Sequence, residues 1–254
     1  MRADLVKQTL EGSVLVLEMH DPAARNALSL GLLSALSEAV GQAGEDVLGI
    51  VITGGAECFS AGGDFRELKG TSEDLAYDDA VSAAVATILA SDRIVAAAIE
   101  GPCMGAAADL ALACDYRIAG AGSYVQIPAV RLGILYNPAA LERIGRSYPR
   151  DTVRRLLLAG ERFDDHEARR AGLFSRVVPR GEALGAALRD LARLDARQAD
   201  AVRATKRLLA ELEAGTADRA QWQRRRAELL DSEQRGAAIR QAHARFIDKP
   251  ETRR

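Results

Sequence analysis

Cysteine and histidine are scarce in this chain of 254 residues, with three of each. Cys58, Cys103 and Cys114 are odd in number and lack the paired spacing of a zinc site, so a disulfide scaffold and a structural metal are both unexpected. His20 reads as a turn residue, and His166 and His243 fall in charged helical stretches. No Cys–His pair is suggested, which argues against a thiol nucleophile. Long apolar runs are also missing: none reaches about 18 residues, the length of a membrane-spanning helix. The amino-terminal stretch MRADLVKQTLEG has no hydrophobic core of a signal peptide. A chain free of membrane, in a reducing cytoplasm, is the expectation. An excess of one charge is absent too, with 34 basic against 36 acidic residues and a formal charge of -2. Such a balance gives no global field for drawing in nucleic acid, and Arg224-Arg225-Arg226, interrupted by nearby acids, reads as a solvated helix face. Neither GxGxxG nor GxxxxGK(S/T) occurs, so no phosphate-binding loop of those types is present.

What remains is the composition of a globular protein, 48% apolar and 28% charged. Ser13 to Met19 reads as a strand, and Ser29 as the cap of a helix whose apolar stripe is Leu32, Leu33, Leu36, Ala39 and Val40. Val47 to Thr53 is uniformly apolar, as in a central parallel strand. A helix over 75–90, a buried strand at Ile94 to Ile99, a helix from Gly105 to Cys114, and strands near 116–119 and 123–126 follow. Alternating strand, loop and helix units predict an α/β fold. From Asn137 helices dominate, with a short strand at 175–178. The expected division is a core domain at about 1–195 and a helical segment at about 196–254, whose Leu208, Leu209, Leu212, Trp222, Leu229 and Leu230 must bury against the core or a second subunit.

Two loops stand out. Phe59-Ser60-Ala61-Gly62-Gly63-Asp64-Phe65 follows a buried strand and is expected to open a short helix, which turns backbone N–H groups outward where they stabilise negative charge. Taken alone, a glycine pair after a strand is an ordinary turn. Gly101 to Leu110 repeats the arrangement with three alanines, Ala106 to Ala108, which either let a ligand lie against the backbone or pack helix on sheet. Together the loops could aim two N–H groups at one carbonyl oxygen, the requirement of an oxyanion hole.

With Asn26-Ala27-Leu28, the segment 59–64, GPCMGAAADLALACD (101–115), PAVRLG (128–133) and ARRAGLFSRVVP (168–179), the chain resembles the crotonase superfamily, the enoyl-CoA hydratase/isomerase family. The resemblance implies a spiral of ββα units with a helical C-terminal region used for trimer formation, often as a dimer of trimers. It implies an acyl-CoA substrate, no further cofactor, and backbone donors matching Gly63 and Ala106. Coenzyme A is expected to follow Ala24, Arg25 and Ala27 and then Ala61, Gly62, Asp64 and Phe65. Arg25 and Lys249 are phosphate contacts or else ordinary surface charges.

Asp109 lies one helical turn beyond Ala106 and matches the first glutamate of the hydratase pair. An acid inside AAADLALAC needs either a partner or a raised pKa, and the alternative to proton transfer is capping or pairing with an arginine. The second glutamate matches Ala129, which puts ordinary two-carboxylate hydration in question. Tyr136-Asn137 resembles the methylmalonyl-CoA decarboxylase branch, although that branch carries histidine where this chain has Gly63; Tyr136 is otherwise a pocket or core aromatic. The leading expectation is a hydratase/isomerase with Asp109 as the proton-transfer residue. The alternatives are a malonyl-type decarboxylase using Tyr136 and a noncatalytic CoA-binding or scaffold protein.

Overall fold

A computed structural model describes residues 5–246. The chain divides into two compact units, up to Arg193 and from Leu194 onward. In chain order the first unit contains β1 (Val6–Glu11), β2 (Val14–Met19), α1 (Leu30–Gly41), β3 (Gly49–Thr53), α2 (Leu75–Ala90), β4 (Ile94–Ile99), β5 (Pro102–Met104), α3 (Ala106–Ala113), β6 (Tyr116–Gly120) and β7 (Tyr124–Gln126). It continues with α4 (Pro138–Ser147), α5 (Arg150–Leu157), β8 (Arg162–Asp164), α6 (Asp165–Arg170), β9 (Arg176–Val178) and α7 (Ala183–Leu191). The second unit consists mainly of α8 (Ala199–Ala214), α9 (Arg219–Leu230) and α10 (Glu233–Phe246).

The larger sheet runs β1-β2-β3-β4-β6-β9, parallel throughout except for the antiparallel β1–β2 edge. The smaller sheet runs β5-β7-β8. A turn of the spiral contributes a strand to each sheet and then a helix: β4 and β5 lead to α3, and β6 and β7 lead towards α4. The expected ββα architecture is therefore present. β3 is buried along its whole length, as its unbroken apolar run requires, because it is flanked by parallel neighbours on both sides. β1 escaped the sequence reading for the opposite reason. Five of its six residues, KQTLE, are exposed on an edge, so neither apolar periodicity nor burial marks it. The helix expected from Asp64 is only a 3-10 turn, Phe65–Glu67.

Two buried polar side chains join the layers. Glu100, at the end of β4, accepts from the N–H groups of Gly181 and Ala183 at 3.0 and 3.1 Å and so anchors the start of α7 to the central sheet. Asn26 has a left-handed backbone, φ 55°, directly after Arg25 at φ 52°. Its amide donates to the carbonyls of Gly54, Cys58 and Phe59 at 2.8, 3.1 and 3.3 Å, while its oxygen accepts from Asp21 N–H at 2.9 Å. Asparagine is one of few non-glycine residues that tolerate this conformation, and here its side chain satisfies three otherwise orphaned carbonyls. The turn at 21–27 is thereby fixed to the loop that leaves β3.

In the second unit Leu209, Leu212 and Leu230 are exposed, and Leu208, Trp222 and Leu229 are only partly covered. No described helix is long and apolar enough to cross a membrane.

Replacing Asn26 with alanine removes the partner of those carbonyls, of which that of Phe59 is buried and the others partly so, and Asn26→Ala is expected to lose about 1 to 3 kcal/mol of stability. Urea unfolding followed by circular dichroism measures this. A loss below about 0.5 kcal/mol, the level of an ordinary surface change, would contradict the anchoring role.

Candidate active site

The loop leaving β3 runs beside β5. Ser60 pairs with Cys103 through Ser60 N–H to Pro102 C=O, 3.0 Å, and Met104 N–H to Ser60 C=O, 3.3 Å. Three residues farther along each segment lie Gly63 and Ala106. Gly62 has φ 96°, and a methyl group built on it would stand 2.7 Å from the Met104 carbonyl oxygen, so only glycine permits this approach. The two loops that the sequence singles out are thus packed on each other.

Several backbone groups around them are paired. Leu28 N–H donates to Gly62 C=O at 2.7 Å, Ala61 N–H to Arg25 C=O at 3.0 Å, and Gly105 N–H to Gln126 C=O at 2.8 Å. The N–H groups of Gly63 and Ala106 have no hydrogen-bond acceptor among the described residues. Ala106 opens α3, where helix geometry leaves the first N–H groups without internal partners. Both residues are partly exposed, whereas Ala107 and Ala108 are fully buried. Of the three alanines only Ala106 is partly exposed; the other two are buried in the core.

Asp109, one turn into α3, is 3% exposed. Its Oδ1 accepts from Nη2 of Arg143 on α4, a residue that the sequence reading did not single out. Burial drives the Asp109 carboxyl above its ordinary value, Arg143 opposes that rise, and Asp78 on α2 adds to it. The two fates expected for an acid at this position, a partner and a raised pKa, therefore occur together. Tyr136 directs its hydroxyl to Gly105 C=O at 3.4 Å, one residue before Ala106. Burial, with Asp109 next in weight, pushes that hydroxyl well above the ordinary tyrosine value. Asn137 caps α4 through Ala139 and Ala140 N–H, and its amide donates to Asp78 and Ser82 at 2.7 and 3.0 Å. These contacts bring α2, α3 and α4 together around Asp109.

Ala129 begins a 3-10 turn and packs on the core with a methyl group only. Glu142 does not supply the missing acid: it is exposed and paired with Arg146. The segments expected to follow coenzyme A are joined to each other through Ala61 and Arg25. Ala24 and Ala61 are partly exposed, Arg25 and Phe65 exposed, and Ala27, Gly62 and Asp64 buried. Asp64 caps the turn at 65–67 and pairs with Arg66 at 2.6 Å, which holds its carboxyl below the ordinary value. Lys249 lies outside the described residues. No group of three or more metal-ligating side chains occurs among the described residues.

Arg143, Tyr77 and Asp78, which the sequence reading missed, and Asn137, whose contacts it missed, all act across long chain separations. Tyr77, at the start of α2, donates to Leu28 C=O and accepts from Asp64 N–H. Asn137 stands beside Tyr136 in the sequence motif, but nothing in the local pattern pointed to its contact with α2.

A family model described as enoyl-CoA hydratase/isomerase matches residues 9–253. The 2,3-dehydroadipyl-CoA hydratase of Escherichia coli (strain K12) is 32% identical over 215 residues, covering 82% of this chain and 84% of that protein. Among solved structures, an enoyl-CoA hydratase from Polaromonas sp. JS666 superposes with a TM-score of 0.84 at 29% identity, over 94% of this chain and 97% of that one. An enoyl-CoA hydratase/carnithine racemase from Magnetospirillum magneticum gives a TM-score of 0.87 at 25% identity, over 96% and 94%. With a family model spanning nearly the whole chain and a relative above 30% identity over most of it, the chain belongs to the enoyl-CoA hydratase/isomerase family of enzymes.

Proposed function

We propose that this enzyme binds an acyl-CoA thioester, stabilises its enolate with the N–H groups of Gly63 and Ala106, and moves a proton with Asp109. The observation that carries this reading is the pair of unengaged N–H groups on two interlocked loops, with a buried carboxylate one helical turn beyond the second. Removing an α-proton from a thioester places negative charge on its carbonyl oxygen, and donors already aimed at that oxygen lower the barrier. Asp109 as carboxylate takes the proton from C2 of a 3-enoyl thioester; the resulting dienolate takes a proton back at C4, leaving the 2-enoyl isomer. One carboxyl suffices for this exchange. Hydration asks for activation of water as well, and Ala129 and Glu142 offer no second acid.

Tyr136 supports a second reading, decarboxylation of a malonyl-type thioester. Loss of CO2 leaves the same enolate without a base, and the buried Tyr136 hydroxyl beside Gly105 could orient the departing carboxylate or return a proton to carbon. Coenzyme A would run along Ala24 to Ala27 and Ala61 to Phe65, with Arg25 and Lys249 meeting its phosphates. The exposed leucines of α8 and α9 support assembly as a trimer or a dimer of trimers.

Asp109→Asn keeps an acceptor for Arg143 while removing the titrating group. It is expected to lower turnover at least about 100-fold, the usual scale of general base catalysis, with acyl-CoA affinity changed only a few-fold. Unaltered turnover would remove Asp109 from the mechanism. The required species is the carboxylate, so activity falls as pH drops through the raised Asp109 value. The acid limb of kcat/KM is expected above the ordinary aspartate value of about 3.9, and Arg143→Met should move it higher still because the opposing cation is gone. A limb that stays put in Arg143→Met counts against this electrostatic account. Finally, mass analysis of products from a 3-enoyl-CoA, its 2-enoyl isomer and methylmalonyl-CoA should show isomerisation outpacing the other reactions. Rapid hydration of crotonyl-CoA would overturn the one-carboxyl reading, and tight binding with no product from any of them would favour a noncatalytic role.

A further inference from the structure

We infer that Tyr77 is a positioning residue for the Gly63 donor, an inference that rests on the proposed oxyanion role of Gly63 and Ala106. The Gly63 N–H shares a rigid peptide plane with Gly62 C=O, the two pointing in opposite directions. Whatever holds the Gly62 carbonyl therefore aims the Gly63 N–H. That holder is Leu28, whose N–H donates to Gly62 C=O at 2.7 Å. Leu28 is itself fixed at its other end, because its carbonyl accepts from the Tyr77 hydroxyl at 2.5 Å. The same hydroxyl accepts from Asp64 N–H at 3.3 Å, on the peptide immediately after Gly63.

One oxygen atom thus spans the single parallel bridge between Leu28 and Gly63 and grips the chain on both sides of the donor. The ring completes the clamp. A methyl group built on Gly63 would meet the Tyr77 Oη at 3.2 Å, Cε1 at 3.6 Å and Cζ at 3.7 Å, while Gly62 lies against the Met104 carbonyl on the opposite loop. The Gly62-Gly63 pair is enclosed between the tyrosine ring and the turn that opens α3. Neither role of the hydroxyl was visible in the sequence, where Tyr77 is one aromatic in a helical pattern.

Burial pushes the Tyr77 hydroxyl up to about 12, with Asp64 and Glu67 as the nearby acids, so it stays neutral across the assay range. The next residue, Asp78, holds Asn137 at the cap of α4, and α4 carries Arg143 to Asp109. The first turn of α2 therefore supports the donor on one side and the carboxylate on the other.

Tyr77→Phe deletes the hydroxyl and keeps the ring. The expected result is a fall in kcat of about ten- to a hundredfold, less than removal of a whole oxyanion donor, with KM within about twofold and the pH profile unmoved. The distinguishing readout is infrared difference spectroscopy of bound butyryl-CoA labelled with 13C at the thioester carbonyl. In the unmodified enzyme the carbonyl band moves to lower frequency on binding, and in Tyr77→Phe a smaller displacement is expected. Thr87→Ala, a change at a partly exposed position on the same helix, should match the unmodified enzyme in both measurements. A Tyr77→Phe enzyme with normal kcat and a normal carbonyl band overturns the positioning role and leaves the oxyanion reading standing. A carbonyl band unmoved in the unmodified enzyme overturns both.

Discussion

The site depends on the register between the loop leaving β3 and strand β5. The two backbone hydrogen bonds of Ser60, one given to Pro102 and one accepted from Met104, set the register in which Gly63 and Ala106 each lie three residues beyond the paired Ser60 and Cys103. A slip by one residue would turn one of the two peptide groups away. The register is protected by groups with few alternatives: Asn26 satisfies the carbonyls on the first loop, and Gly62 allows the contact with Met104. Each of these is a polar or steric requirement, so the arrangement is specified more sharply than apolar packing alone would achieve.

Around this backbone frame the electrostatics are set by burial. Asp109 sits among apolar neighbours on α3, which favours its neutral form, while Arg143 reaches across from α4 and favours the charged one. Losing the arginine would leave a buried carboxylate without compensation, and losing the aspartate would strand a guanidinium in a largely covered position. The pair is therefore weak evidence for fold stability in itself, since burial and the arginine act on the carboxyl in opposite directions. Asn137 and Asp78 fix the helices that carry the partners.

Much of the architecture was legible because buried parallel strands leave a strong apolar signature, seen in VLGIVIT and IVAAAI, and because Ser29 and the Gly105 turn mark helix starts. β1 was hidden by its exposed, mixed composition, and the turn after Asp64 proved too short to be a helix. The two loops that pack on each other at Ser60 and Cys103 were also legible, since glycine and alanine at a strand-to-helix turn have a direct backbone meaning. Arg143 and Tyr77 were not. Asp109 and Arg143 are 34 positions apart, and Tyr77 and Leu28 are 49 apart. Periodicity reports on neighbours within a few residues and carries no information about which distant side chains meet.

In the proposed mechanism the donors at Gly63 and Ala106 belong to the main chain, and this has a consequence for how such a protein changes through descent. A side-chain catalyst is lost by one codon change, whereas a peptide N–H survives nearly every substitution that the fold itself survives. Positions 109, 129 and 136 are then free to drift between acids, methyl groups and phenols without erasing the affinity for an enolate. Selection can exchange the proton-handling residues around a fixed electrostatic cradle, and new reactions arise as variations on one retained intermediate.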